Sequence, residues 1–264
     1  ATDYIFNGWE VVSGDVSISS ASGTNLVFSM PLENVSVKAL FSAKPIANDS
    51  VALGAYITYV PDKTSGTIKD DDTSLIGATF NPSTTTSWRV FKNNSGQLDI
   101  ISTESVTLLQ LGDIEGYRKV VYIMNELCSY YVNGTYATSA RSLGCNSSNQ
   151  AITADEDDNY IDDKLQLNMA GVLHSSGDIW LASRMKETGI IWIGDKDDSG
   201  TNYYVRYMDN AGNIETQRLF AQFNTGVSDY YSKYAGVRPI VSLKSNIKIT
   251  GGDGTAENPY TISI

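Results

Sequence analysis

The sequence predicts an α+β fold: a small β-rich N-terminal module followed by a larger domain carrying one or two helices. Three observations predict it. Short β-branched or aromatic runs, bounded by Gly, Ser, Asp or Asn, recur along most of the 264 residues. One long amphipathic stretch, residues 114–132, interrupts them with three- and four-residue apolar spacing. A small, polar segment carrying Pro45, residues 43–50, reads as a linker between residues 1–42 and residues 51–264.

In chain order, "WEVVSGDVSI", "NLVFSM" and "VSVKALF" alternate as antiparallel strands broken by Ser/Gly clusters, with Pro31 leading into a turn. "LGAYITYVP" alternates again. "SWRVFKNNSGQLDIIS" reads as a hairpin with Asn94, Ser95 and Gly96 in its turn. In the helix, Ile114, Tyr117, Val121, Met124, Leu127 and Cys128 form the apolar stripe. A shorter helix is expected over residues 158–167. Beyond His174 come "DIWLAS", "GIIWIG", "NYYVRYM" and "GVRPIVSL", each short enough for a strand. Pro239 removes a ladder donor from the last of these, so that strand is expected at a sheet edge or bulged.

Composition narrows the function classes. Hydrophobic residues make up 41% and charged residues 19%, which is ordinary globular material. A formal charge of −11 repels phosphate backbones, so nucleic acid is not an expected partner. No apolar run reaches the roughly 20 residues of a membrane helix, and no membrane insertion is expected. No signal-peptide pattern stands at the start, so any export signal or anchor is expected to lie outside residues 1–264. Cys128 and Cys145 are either one bridge or two separate thiols.

Catalytic patterns are sparse. His174 is the only histidine, and its setting "GVLHSSGD" has no nucleophile elbow, so no catalytic residue is named. One histidine and two distant cysteines give no zinc spacing. A pair of carboxylates among thirty acids would suffice for a glycosidase, and nothing singles one out. "GGDGTAENPY" lacks the Lys-Ser/Thr of a phosphate loop and reads as a turn. In "DKDDSGTN", Asp195, Asp197 and Ser199 copy the first half of a calcium loop, but Arg206 stands where a bidentate Glu is needed. The pattern admits Ca2+ and no other cofactor; a solvated turn is the simpler expectation. The acidic run at residues 154–159 reads as a helix start. Sequons at Asn34, Asn48, Asn93, Asn133 and Asn146 carry no expected function.

Two resemblances organise these pieces. "FNGWEVVSGDVSI…LVFSMPLENVSVKALF" resembles the second half of the divergent internalin B-type repeat, a β-rich module of bacterial surface proteins. Over residues 51–264, the ordered run "LGAYITYVP", "YIMNELCSYY", "ARSLG", "DIWLASR", "YYVRYMDNAGNI" and "GVRPIVSLKSNIKITGGDGTAENPYTI" resembles C-terminal domains of secreted or pilin-like proteins of Firmicutes and of some phage proteins. That family is similar to the C-type-lectin fold of formylglycine-generating enzymes and of the variable proteins of diversity-generating retroelements. The resemblance implies a C-type-lectin-like domain at 51–264 whose ligand surface lies between "WLAS" and "GVRPIVSL", residues 184–234.

Residue chemistry points to the same segment. Tyr203, Tyr204, Tyr207, Tyr230, Tyr231 and Tyr234, with Arg184, Arg206 and Arg218, are of the types that dominate binding hot spots. Trp192 and Asn213 join them. The competing expectation is an ordinary strand with half of its tyrosines packed inward. The main expectation is therefore an extracellular or cell-surface adhesion module, bacterial or phage, that is not an enzyme. It would bind a protein or glycan on another cell or particle, with Arg206 or Tyr204 solvent-accessible. The alternatives are a self-associating subunit of a surface fibre or pilus, and a carboxylate-dependent hydrolase.

Overall fold

The structure is a computed structural model and describes residues 4–14, 18–22, 25–29, 34–43, 47–68, 79–84, 87–144, 161–172, 176–193 and 196–264. The chain divides into two compact units, Ala1–Ile46 and Ala47–Ile264. The division falls within the segment 43–50.

The first unit pairs β1 (Tyr4–Ser13) with β4 (Ser36–Ala43), antiparallel, and β2 (Ile18–Ser22) with β3 (Asn25–Phe28). Phe6 packs edge-on against Trp9 and Phe41, each at 5.5 Å. The run "WEVVSGDVSI" is not one strand. Gly14 takes φ +96 and breaks it, and a Cβ there would lie 3.0 Å from the Asn34 carbonyl oxygen.

The second unit holds two larger sheets and two helices. The five-stranded sheet runs in the order β11 (Ala137–Ser142), β17 (Pro239–Leu243), β9 (Gln97–Ser102), β8 (Trp88–Asn94), β5 (Tyr56–Ile57). The six-stranded sheet runs β10 (Thr107–Gly112), β16 (Ser232–Val237), β12 (Ile179–Ile193), β13 (Lys196–Met208), β14 (Ile214–Phe223), β15 (Ser228–Tyr230). Two short pairs complete it: β6 (Gly66–Thr67) with β7 (Thr79–Phe80), and β18 (Lys248–Gly251) with β19 (Thr261–Ser263). The β8–β9 turn falls at Ser95 and Gly96, both with positive φ, as two-residue hairpin connections require.

β15 and β16 are successive parts of one strand interrupted at Tyr231. The first part pairs with β14 and the second with β10, while Gly236 bridges to Ile179 of β12. The pairings β12–β13–β14–β15/β16–β12 therefore run in a closed circuit. At the break, Tyr231 N–H donates to the Leu219 carbonyl (2.9 Å), and the Tyr231 carbonyl accepts from Asp113 N–H (3.2 Å).

α1 spans Asp113–Ser129, shorter than the stripe predicts at its C-terminal end. Asp113 and Glu115 stand in its first turn, where acids complement the helix dipole. It buries Val120 and Ile123 as well as Tyr117, Val121, Met124, Leu127 and Cys128. The arc is wide because α1 packs against β11 on one side and against β10, β12, β13 and β14 on the other. α2 (Ile161–Met169) overlaps the expected second helix and extends past its C-terminal end. Leu167 of α2 joins a core with Phe91, Ile101, Leu181, Met208 and Ile240.

The strand of "GVRPIVSL" is not an edge. β17 lies between β11 and β9, and Pro239 occupies its first position, where a missing N–H breaks no interior ladder bond. The motif instead carries the chain from one sheet to the other. Val237 ends β16, Pro239 starts β17, and Arg238 sits buried between them. Arg238 donates through Nε (2.9 Å) and Nη2 (2.6 Å) to the Ser102 carbonyl and through Nη1 (2.9 Å) to that of Val172. Burial pulls it down to about 10, so it is charged at neutral pH.

"GGDGTAENPY" is a turn. Gly252 and Gly254 have positive φ, Asp253 accepts from Thr255, and the Gly254 and Tyr260 carbonyls accept N–H bonds from Tyr56 and Thr58. Three sequon asparagines are structural: the side-chain amides of Asn48, Asn93 and Asn133 donate to the carbonyls of Ile247, Val51 and Val60. Cys128 is buried on α1, whereas Cys145, His174, Asn146 and residues 154–159 lie outside the described residues. Among the described residues, no helix is long and apolar enough to cross a membrane.

Candidate functional site

The hairpin β12–β13 is the longest element of the unit. Its register sets Ile193 against Lys196, Glu187 against Asn202 and Met185 against Tyr204. Cross-strand partners share a face of a sheet, and alternate residues of a strand do as well. One face of β13 thus carries Asn202, Tyr204, Arg206 and Met208, and the other carries Tyr203, Val205 and Tyr207.

On the first face, Met208, Arg206 and Asn202 are buried, while Tyr204 is half-exposed and Glu187 of β12 is exposed. A polar band crosses it there. The Tyr204 hydroxyl donates to Glu187 Oε2 (3.3 Å), and burial, then the Glu187 carboxylate, push that phenol up while Arg218 pulls it down. Arg218 donates through Nη1 to Asn202 Oδ1 (3.4 Å) and through Nη2 to the Tyr231 hydroxyl, with its guanidinium 4.5 Å from that ring's centre. The Tyr231 hydroxyl in turn donates to Asp229 Oδ2 (3.4 Å). Donors and acceptors therefore run from β12 through β13 and β14 to residues 229–231. Each is held by a neighbour, which lowers the entropy lost on meeting a ligand.

The opposite face carries an aromatic row. Tyr117 of α1 meets Tyr203 at 4.9 Å, Tyr203 meets Phe220 at 5.7 Å, and Phe220 meets Tyr230 at 5.2 Å. Only the last of these rings stands clear: Tyr230 is 66% exposed. Tyr207 packs against Trp180 (6.0 Å), with the Lys233 ammonium 4.0 Å from its ring. The predicted set is thus split between two faces rather than gathered on one.

Arg206 corrects the expectation directly. It is 3% exposed, and its Nη1 donates to Ser183 Oγ (2.9 Å) and to the Arg184 carbonyl (3.3 Å), with Nη2 against Met185 Sδ. Its burial on the first face, alternate to Met208, makes it a structural arginine. Arg184 is half-buried, donates to the carbonyls of Tyr117 (3.3 Å) and Arg118 (2.7 Å), and ties β12 to α1. Asn213 is exposed, but its N–H and amide both donate to the Asp209 carboxylate in the β13–β14 turn and hold it below the usual carboxylate range. Trp192 lies in β12 opposite Asp197, its side chain outside the description. Tyr234 is 55% exposed on β16, opposite Gln110.

The calcium-loop expectation and the turn expectation at "DKDDSGTN" both meet the same finding. Residues 196–208 are one strand, so Asp197 and Ser199 sit on extended backbone rather than on the tight curl that converges loop oxygens. The Ser199 hydroxyl and carbonyl accept from the Asn224 amide and N–H. Asp195 lies outside the described residues. Among the described residues, no cluster of three His, Cys, Asp or Glu side chains could hold a metal ion.

Sequence reasoning missed Glu187, Asn202 and Asp229. By type they are ordinary polar residues, and only the β12–β13 register sets Glu187 opposite Asn202 and beside Tyr204. No protein-family profile, curated protein or solved structure matches this chain.

Proposed function

We propose that this chain is a non-enzymatic recognition module of a bacterial or phage surface protein. It binds a protein or glycan through the polar band Glu187–Tyr204–Arg218–Tyr231, with Tyr230 as an aromatic contact at the sheet's margin. The observation that carries the reading is the band itself: a pre-tied donor and acceptor array around the half-exposed Tyr204 and the exposed Glu187. Tyrosine and arginine in such a setting give large contact area at low entropic loss. The resemblance to C-type-lectin-like domains supports the same segment and the extracellular setting.

Glycan and protein arrays probed with the whole chain supply the ligand. Alanine at Tyr204 or Tyr230 is then expected to weaken binding roughly tenfold or more while moving the melting temperature little. A large fall in melting temperature at both positions, or unchanged binding at both, refutes the reading.

A further inference from the structure

We infer that β10 is a self-association edge, along which a second copy of this chain pairs antiparallel. β10 is the outermost strand of the six-stranded sheet, and no strand among the described residues pairs with its outer side. β15, at the far end of that sheet order, runs on into β16 in the closed circuit, and it is guarded besides by being three residues long and carrying Asp229. β10 has neither guard. It runs Thr-Leu-Leu-Gln-Leu-Gly without a charge or a proline. Leu108 is 65% exposed on one of its faces, with Tyr234 beside it on β16, while Leu109 and Leu111 on the other face belong to the buried core. An open, uncharged strand edge with apolar side chains on both faces is a template for another strand.

The occupant follows from charge and pattern. A chain of net −11 repels its own copies over most of its surface, so copies meet best where charge is absent. A two-fold axis through Gln110 sets Gln110 opposite its own counterpart, Leu109 opposite the partner's Leu111, and Leu108 opposite the partner's Gly112, which leaves it room. Asp113, just beyond, faces the partner's Thr107, a hydroxyl rather than a like charge. Every cross-strand pair is thus compatible, and the contact is isologous and closed, giving a dimer rather than a fibre. The surface lies outside the polar band, so it stands or falls independently of the ligand reading.

Sedimentation of the whole chain over a dilution series is expected to show a reversible monomer–dimer equilibrium. Leu108→Lys puts a charge on an already exposed position; it should weaken dimerisation roughly tenfold or more, about 1.4 kcal/mol, with an unchanged melting temperature at dilutions where the parent is monomeric. Tyr122→Lys, at a comparably exposed site on α1 (68%), should dimerise like the parent. Gln110→Cys should crosslink readily under oxidation because the axis brings two copies of position 110 within disulfide reach. Leu108→Cys should crosslink far less. A chain that stays monomeric at every concentration, a dimer indifferent to Leu108→Lys, or crosslinking at 108 in preference to 110 overturns the inference.

Discussion

Replacing Asp163 with Asn removes one charge from a buried ionic cluster, and its effect can be worked out from the geometry. Asp163 on α2 accepts from Arg141 Nη1 (2.8 Å) and Nη2 (3.1 Å), from Gly144 N–H (2.8 Å) and from Lys92 Nζ (3.4 Å). Both Asp163 and Arg141 are almost fully buried. The aspartate therefore fastens α2 to β11 and β8 at once. Asparagine keeps one acceptor but turns the other oxygen into a donor that faces a guanidinium N–H, and the guanidinium stays buried without this counter-ion. Breaking such a pair costs about 3–5 kcal/mol. For a domain of this size each kcal/mol moves the melting temperature by roughly 2–4 °C, so a fall of roughly 6–20 °C is expected. Urea titration and thermal circular dichroism at neutral pH measure it. The double replacement Arg141→Met with Asp163→Leu should recover most of the loss, because apolar packing then replaces both charges. A penalty below about 1 kcal/mol for Asp163→Asn, or a double variant worse than the single, would refute the reasoning.

Other outcomes follow from single contacts. Arg206→Ala should destabilise by about 2–4 kcal/mol, with ligand binding altered only in proportion to unfolding, as parallel melting and binding curves would show. The Tyr59 hydroxyl donates to the Tyr131 carbonyl (2.8 Å) and accepts from Asn133 N–H (2.6 Å), so Tyr59→Phe should cost about 1–3 kcal/mol in urea denaturation. Burial pushes Tyr59 well above the ordinary tyrosine range. Its contribution is thus complete below about pH 10, where the unfolded phenol ionises, and fades as pH rises toward the folded value. The parent should lose stability above pH 10 more steeply than Tyr59→Phe does. Gly54 has φ +81, and a Cβ there would lie 2.0 Å from the Ala170 carbonyl oxygen, so Gly54→Ala should lower stability by about 1–3 kcal/mol or more.

Periodicity made the α+β character, both helices and the β8–β9 turn legible in the sequence, because each depends on neighbours a few residues apart. The polar band was only partly legible. Tyr204, Arg218 and Tyr231 stand out by type, but Glu187 and Asp229 are ordinary surface acids until hairpin register brings them alongside. Arg206 misled for the converse reason: in "YYVRYM" it looks like another contact residue, and only its alternation with Met208 places it among the buried side chains. Pro239 misled because a proline inside an apolar run resembles an edge marker, whereas its place at the first residue of β17 makes it compatible with the middle of a sheet.

The segment 232–243 has a consequence for how the molecule is made. β16 is flanked by β10 and β12, and β17 by β11 and β9, yet within the second unit both come late in chain order, after every strand they pair with. The hairpins β8–β9 and β12–β13–β14 can form before they arrive, but neither sheet is complete until they do, so the domain finishes folding through long-range closure, which is slow. A product truncated before Ser232 would lack the keystone of both sheets and be open to proteolysis.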